Sequence, residues 1–334
     1  MKIRLLVYGI LVLMVGAAAA NGLAADDVVS SYTFLPGEKV LKFEDFSSGQ
    51  LPQSGFRFDG QTEIVTEDGV KWLKAIKTNL HISLPEKIDD FTLDFYFKAK
   101  NYPGFEIYLG RPYDNRLEVG KYDGYVYYSG SCAGKPLPAT FWYKKKCYND
   151  GETVHFSMTV NQQKLKIYIN RVLVLNAAGY APVMPKDLKI YLRDNIKNSE
   201  ILIKDLRLAT GVPDIAGELL GKGKYTSHGV YFDTGSAKIR AESHYVLSQI
   251  AGVLASYPDL KLLIVGHTDN VGGKEMNQKL SLDRANSVKN YLMTNFKIDA
   301  NRLRCNGKGD TQPVVDNKTP ENRAENRRVE FIRE

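Results

Sequence analysis

Residues 266–288 read GHTDNVGGKEMNQKLSLDRANSV, and an apolar run, LLIV at 262–265, leads straight into them. The run ends at glycine and a polar loop, which makes KLLIVGHTD a strand that stops on Asp269. Beyond the loop, SLDRANSVKNYLMTNF carries Leu282, Ala285, Val288 and Leu292 at helical spacing, so an amphipathic helix is expected there with those four inward. Arg284 stands in its first turn, fifteen positions after Asp269. Strand, polar loop and helix in succession predict an α/β unit.

The same alternation extends to both sides. HGVYFDTGS reads as a strand with a turn, and AESHYVLSQIAGVLASYP as a helix with Val246, Ile250, Val253 and Leu254 inward and Pro258 just past its end. RLRCNGKG and RRVEFIRE supply two more strands. Residues 228–334 are thus expected to form an α/β sandwich, with helices on one face of a small sheet. Upstream, GVPDIAGELLGKGKYTS at 211–227 mixes glycine and proline with a short apolar segment and reads as a linker with one or two helical turns.

Between 40 and 210 the period is two. FTLDFYF puts Phe91, Leu93, Phe95 and Phe97 on one face, VHFSMTV does so with Val154, Phe156, Met158 and Val160, and NQQ then turns the chain into KLKIYI, with Leu165 and Ile169 inward. Strands with one buried face and short polar turns predict an antiparallel sandwich or barrel.

At 334 residues the chain is long enough for two domains, each with its own core. A hydrophobic content of 43% with 25% charged residues is that of an ordinary globular protein and excludes wholesale disorder. The net charge of +7 permits an anionic partner without choosing one. MKIR, then LLVYGILVLMVG, then AAAANGLAA is the pattern of a secretory signal peptide over residues 1–25, cleaved near Ala20 to Ala25. A retained anchor is the alternative, but the apolar run is short of the roughly 20 residues that span a bilayer. No cysteine follows the small residues, which argues against a lipid anchor. Export permits disulfides, so Cys132 and Cys147 are expected to pair, stiffening their loop by roughly 3 kcal/mol. Cys305 is left over, as a small buried residue in a strand.

VYFDTGSAKI, GHTDNVGGKEMNQKLSLDRANSVKNYL and GKGDTQPVVDNKTPENRAENRRVEFI, in that order, resemble the OmpA-like peptidoglycan-binding domain across residues 228–334. One departure is Asn322, where that family often has glycine. Residues 40–210, from FEDFSSGQLP through VHFSMTVNQQKLKIYINRVLVLN to ILIKDLRLA, resemble the concanavalin A-like, laminin-G-like jelly roll. The first resemblance implies recognition of the zwitterionic end of meso-diaminopimelate in a cell-wall stem peptide. Asp269 would take the ammonium and Arg284 the carboxylate, through paired donors. It carries further contacts onto Phe232, Asp233, Thr234, Thr268, Asn277, Leu280 and Arg327, and leaves Arg328 to structure. On the residues alone, a second reading stays open: Asp269 and Arg284 could bond each other and hold loop to helix.

Other chemistries find little support. His267 and Asp269 lack a third metal ligand nearby, GHTDNVGGK lacks the ending of a phosphate loop, and no cofactor or nucleic-acid partner is expected. A retaining glycosidase needs paired carboxylates, whereas Glu106, Asp94 and Glu118 stand apart in sequence; no catalytic residue is assigned. The tyrosines of KYDGYVYYSG and FWYKKKCY follow no single face. The leading expectation is a non-catalytic envelope protein on the periplasmic side of the outer membrane. It would bind peptidoglycan at its C-terminal end and a glycan or an envelope protein through its jelly roll. The alternatives are an outer-membrane β-barrel with a periplasmic wall-binding domain, marked by heat-modifiable migration, and a wall hydrolase, marked by release of soluble fragments.

Overall fold

The computed structural model describes residues 32–334, apart from 53–54, 84–87, 89, 102–103, 109–114, 120–125, 133–134, 137–140, 143–145, 162–163, 179–186, 194–198 and 212. The expected signal peptide lies outside the described residues.

The first half holds β1 (Lys39–Glu44), β2 (Phe56–Glu67), β3 (Val70–Ser83), β4 (Phe91–Lys100), β5 (Phe105–Tyr108), β6 (Asn115–Val119) and β7 (Val126–Cys132). Two short strands follow, β8 (Lys135–Pro136) and β9 (Phe141–Trp142), then β10 (Thr153–Asn161), β11 (Lys164–Ile169), β12 (Val172–Ala178), β13 (Asp187–Leu192) and β14 (Glu200–Thr210). The expected jelly-roll sandwich of two sheets is not what they build. All fourteen join one sheet, in the order β12-β11-β10-β4-β14-β3-β13-β5-β6-β7-β8, with β1 on β14, β2 on β3 and β9 on β7. It curls as a half-barrel around a single core.

Two long strands keep it continuous. Along one edge β14 pairs with β3 over Ile201–Ile203 and with β1 over Leu206–Thr210. Along its own edge β3 passes from β14 to β13. A bulge between Lys204 and Arg207 marks the handover on β14, and Asp205 there has φ of 52°. Such a bulge bends the strand and re-aims its side chains.

The alternation read from sequence does set the inner face. Phe91, Leu93, Phe95 and Phe97 are buried with Val154, Phe156, Met158, Val160, Leu165 and Ile169. The Phe95 and Phe156 rings stack at 4.9 Å, and Phe105 meets Phe97 edge-on at 5.1 Å. Each such ring contributes about 1.5–3 kcal/mol by leaving water. Thr92, Asp94, Tyr96 and Lys98 alternate with the inward residues of β4 on the opposite face. A membrane barrel has the reverse pattern, apolar outside and polar within. Among the described residues no helix is long and apolar enough to cross a membrane.

The second core lies between helices and a four-stranded sheet ordered β15-β18-β16-β17. These strands are β15 (Lys224–Ser227), β16 (Leu262–His267), β17 (Leu303–Gly309) and β18 (Val329–Arg333); the helices are α1 (His244–Ser256), α2 (Lys274–Phe296) and α3 (Pro320–Asn326). β16 runs parallel to β17, and β18 is antiparallel to both β16 and β15. Two sequence expectations are corrected here. The fourth strand is not HGVYFDTGS, which keeps only a Phe232–Ile239 bridge, but KYTS from the segment read as a linker. Ile215, Leu219 and Tyr225 of that segment are buried in the second core. In α1, Val246, Ile250, Val253 and Leu254 are buried as expected.

α2 begins at Lys274, earlier than the sequence suggested, and buries Asn277, Ser281, Ala285, Val288 and Leu292. Leu282 is exposed instead of inward. The inward row starts with small polar residues because the helix lies directly on strand backbone. A Cβ on Gly266 would stand 2.1 Å from the Ser281 carbonyl oxygen, and one on Gly307 2.5 Å from the Leu282 nitrogen.

β1 and β14 lie against the second core's outer elements. The Val40 amide donates to Glu325 of α3 at 2.6 Å, Lys42 pairs with Glu321 at 3.8 Å, and Arg207 donates to the His228 carbonyl at 2.8 Å. Tyr231 reaches Asp94 of β4 at 3.3 Å. Glu44, buried beside this contact, has its carboxyl pushed up to about 7, chiefly by burial.

Candidate functional site

β16 ends at His267 and delivers Thr268 and Asp269 to the rim of the second sheet. Both are buried, at 5% and 7% exposure, an unusual place for a carboxylate unless it is paired. Asp269 is held from three sides. Its Oδ1 accepts the Val271 amide at 3.0 Å, closing a tight turn, and its backbone oxygen accepts the Asn277 side-chain amide at 3.3 Å. Its Oδ2 receives Arg327 Nη1 at 2.5 Å. The Thr268 hydroxyl is buried and makes no hydrogen bond.

Arg284 projects from α2 toward the hairpin at 231–240. Its Nε donates to the Ser236 carbonyl at 3.0 Å, and the guanidinium lies 4.9 Å from the centroid of the Phe232 ring. Among the described residues no carboxylate pairs with it within 4.0 Å. Burial, seconded by the charge of Arg327, lowers its pKa to about 10, while Asp269 pulls the other way. A guanidinium in that position is charged at neutral pH and short of a counter-anion. The internal Asp269–Arg284 bond left open by the sequence is not formed; Asp269 takes Arg327 as its partner.

Arg327 and Arg328 have different surroundings. Arg327 is part-exposed at the end of α3, over the Phe43 ring of β1 at 4.8 Å. Arg328 is buried, donating to Glu330 at 2.9 Å and to the carbonyls of Asn326 and Gln312. Hydrogen bonds from Arg328 and the neighbouring His267 hold the Glu330 carboxyl well below its usual range, against the opposing effect of burial.

Of the residues carried over by resemblance, Asp269, Thr268, Asn277, Arg284, Phe232 and Arg327 come together around this loop. Asp233 lies on the hairpin, bonded to Arg240 Nε at 3.2 Å. Thr234 is exposed beside it, and Leu280 is half-buried on α2. Two participants were missed. Arg240 links Asp233 to Asp205 at 3.7 Å and lies over the Tyr96 ring at 5.2 Å; Phe43 backs Arg327. Neither has a sequence signal, since both act across the contact between the two halves. Asn322, the departure from glycine, sits in the first turn of α3, where its amide donates to Thr319 and its side chain to Asp316.

Elsewhere, Glu106 and Glu118 are not isolated as the sequence suggested. They face each other across β5 and β6, both buried, and share the Arg193 guanidinium, which lies 3.0 Å from Glu118. Tyr108 also donates to Glu106. Among the described residues no group of three His, Cys, Asp or Glu could hold a metal. The expected Cys132–Cys147 bridge is not seen: no disulfide occurs among the described residues, and the Cys132 side chain lies outside them. Cys305 is half-buried, a thiol whose pKa burial raises.

Residues 231–327 match the OmpA family. Over 100 residues the chain is 45% identical to outer membrane protein Omp38 of Acinetobacter baumannii, covering 30% of this chain and 28% of that one. It is 40% identical over 101 residues to outer membrane porin F of Pseudomonas aeruginosa, covering 30% and 29%. The match thus spans under a third of the length of these relatives. Among solved structures, the peptidoglycan-associated lipoprotein from Burkholderia pseudomallei is 27% identical, covering 36% of this chain and 98% of that one, with a TM-score of 0.31.

Proposed function

We propose that this chain, which carries a C-terminal OmpA-family domain, is a non-catalytic, exported envelope protein that holds peptidoglycan on the periplasmic side of the outer membrane. The ligand is the free end of meso-diaminopimelate in a stem peptide. Its ammonium goes to Asp269 Oδ2, and its carboxylate to Arg284. Thr268, next to Asp269, offers a buried hydroxyl that has no partner of its own. The observation that carries most weight is Arg284, a half-buried guanidinium that pairs with no carboxylate among the described residues, next to a carboxylate held rigidly by its own loop. A zwitterion answers both charges at once. Binding breaks no bond, so the fold needs no nucleophile or acid–base pair. The half-barrel is then the tethered part, which contacts a glycan or an envelope protein.

The test is calorimetric titration of the purified chain with a stem tripeptide ending in meso-diaminopimelate, beside its lysine counterpart, which lacks the second carboxylate. Saturable binding of the first and weaker binding of the second is expected. Equal affinity for both would remove Arg284 from its assigned role.

A further inference from the structure

Both oxygens of Asp269 already have a partner within the protein, and a ligand ammonium brought to Oδ2 meets a cation already seated there. Oδ1 accepts the Val271 amide within its own turn, whereas Oδ2 is taken by Arg327. An incoming ammonium and the Arg327 guanidinium want the same oxygen. Whichever contact steadies Arg327 therefore works against the ligand.

That contact comes from the other half of the molecule. The Arg327 guanidinium lies over Phe43, 4.8 Å from the ring centroid, with its side chain 29% exposed. Phe43 is held there because the strand just before it is clasped to α3 at two points: Val40 binds Glu325 and Lys42 pairs with Glu321. A second clasp reaches the opposite flank of the pocket, where Asp205 and Tyr96 engage Arg240, the partner of Asp233. Asp205 gets there through the bulge on β14, a backbone conformation that a non-glycine residue adopts at a cost. Two separate contacts from the half-barrel thus end on arginines of the pocket.

We infer that the pocket is shared between the two halves: Phe43 is a positioning residue for wall binding that holds Arg327 on Asp269, so the ligand must displace an internal cation before it binds. This rests on the wall-binding reading above. It follows from linkage that a ligand which frees Arg327 also loosens the β1–α3 contact, and that a partner which draws the half-barrel away opens the pocket.

The experiment titrates the full chain with the meso-diaminopimelate tripeptide in wild type, Phe43→Ala, Phe43→Trp and Asp269→Ala, and in Phe43→Ala made on an Arg327→Met background. Phe43→Ala is expected to bind about two- to fivefold tighter, the size of a part-exposed cation–π contact. Phe43→Trp keeps the wild-type affinity or lowers it, and on the Arg327→Met background the gain from Phe43→Ala disappears. Damage to the fold would weaken binding, so a gain is not open to that explanation. Asp269-dependent binding that Phe43→Ala leaves unchanged or weakens overturns the shared pocket alone. A tripeptide ignored by both wild type and Phe43→Ala overturns the wall-binding reading, and this inference with it.

Discussion

Gly266 lies directly beneath Ser281: a Cβ placed on the glycine would stand 2.1 Å from the Ser281 carbonyl oxygen. Backbone meets backbone there, with no flexible side chain to move aside. Gly266→Ala is therefore expected to push α2 off β16 and shift Asn277 away from the Asp269 carbonyl. Overpacking of this kind costs about 1–3 kcal/mol. Denaturant unfolding of the variant measures the loss, and an unchanged midpoint would mean that the helix is not seated as described.

Asp269→Ala removes the carboxylate and leaves Arg327 with Phe43 alone. Arg284→Ala removes the unpaired guanidinium. Each is expected to lower affinity for the meso-diaminopimelate tripeptide by about 2–5 kcal/mol, as loss of one side of a desolvated charged contact does. Arg284→Ala should at the same time cost only about 1–2 kcal/mol of stability, because it gives up one bond to a carbonyl and the contact with the Phe232 ring but no ion pair. A large loss of stability with unaltered binding would make Arg284 a structural strut.

Glu44 gives the contact between the halves a pH dependence. Burial raises its carboxyl from 4.5 to about 7, the Phe46 amide opposes that, and Asp45, Glu321 and Arg323 are its charged neighbours. Since the folded value lies above the unfolded one, the stability Glu44 contributes is complete below about pH 4.5 and is lost as pH rises through about 7. At most about 3 kcal/mol is at stake. Thermal melts from pH 5 to 8 should fall less steeply for Glu44→Gln than for wild type. Parallel curves would count against a buried, proton-bearing Glu44.

Arg302 donates to the carbonyls of Leu254, Tyr257 and Leu260, at 2.7, 2.8 and 3.0 Å, and so ties off the C-terminus of α1. Arg302→Ala should cost about 2 kcal/mol. Amide hydrogen exchange in the last turn of α1 should speed up, with the turn around Asp269 unaffected. Exchange that stays slow would show that packing alone holds this helix end.

What could be read from the sequence was what each element decides locally. Phe91, Leu93, Phe95 and Phe97 announce their burial because a period of two needs no knowledge of neighbours. The places of Thr268 and Asp269 at the end of a strand and of Arg284 on a helix were legible for the same reason, whereas grouping them as one site rested on the resemblance. Other features depend on distant partners. KYTS becomes a strand only by pairing with β18, more than 100 residues away. Leu282 was misread because Asn277 and Ser281, polar and small, occupy the inward row that the close helix–strand approach demands. Glu106 and Glu118 meet only through the register of β5 and β6. Phe43 and Arg240 belong to the pocket by virtue of the contact between the halves, which no motif encodes.

The entry of residues 215–227 into the second core has a mechanical consequence. If the C-terminal half is held by a rigid wall and the half-barrel is pulled, tension travels along the chain past Thr210 and arrives at the buried side chains of Ile215 and Leu219. Only after these are peeled away does it reach the four pairs of β15 with β18. Asp269 and Arg284, on the loop after β16 and on α2, lie off that line of force. The molecule would give way from the outer margin of its second sheet while its grip on the wall held.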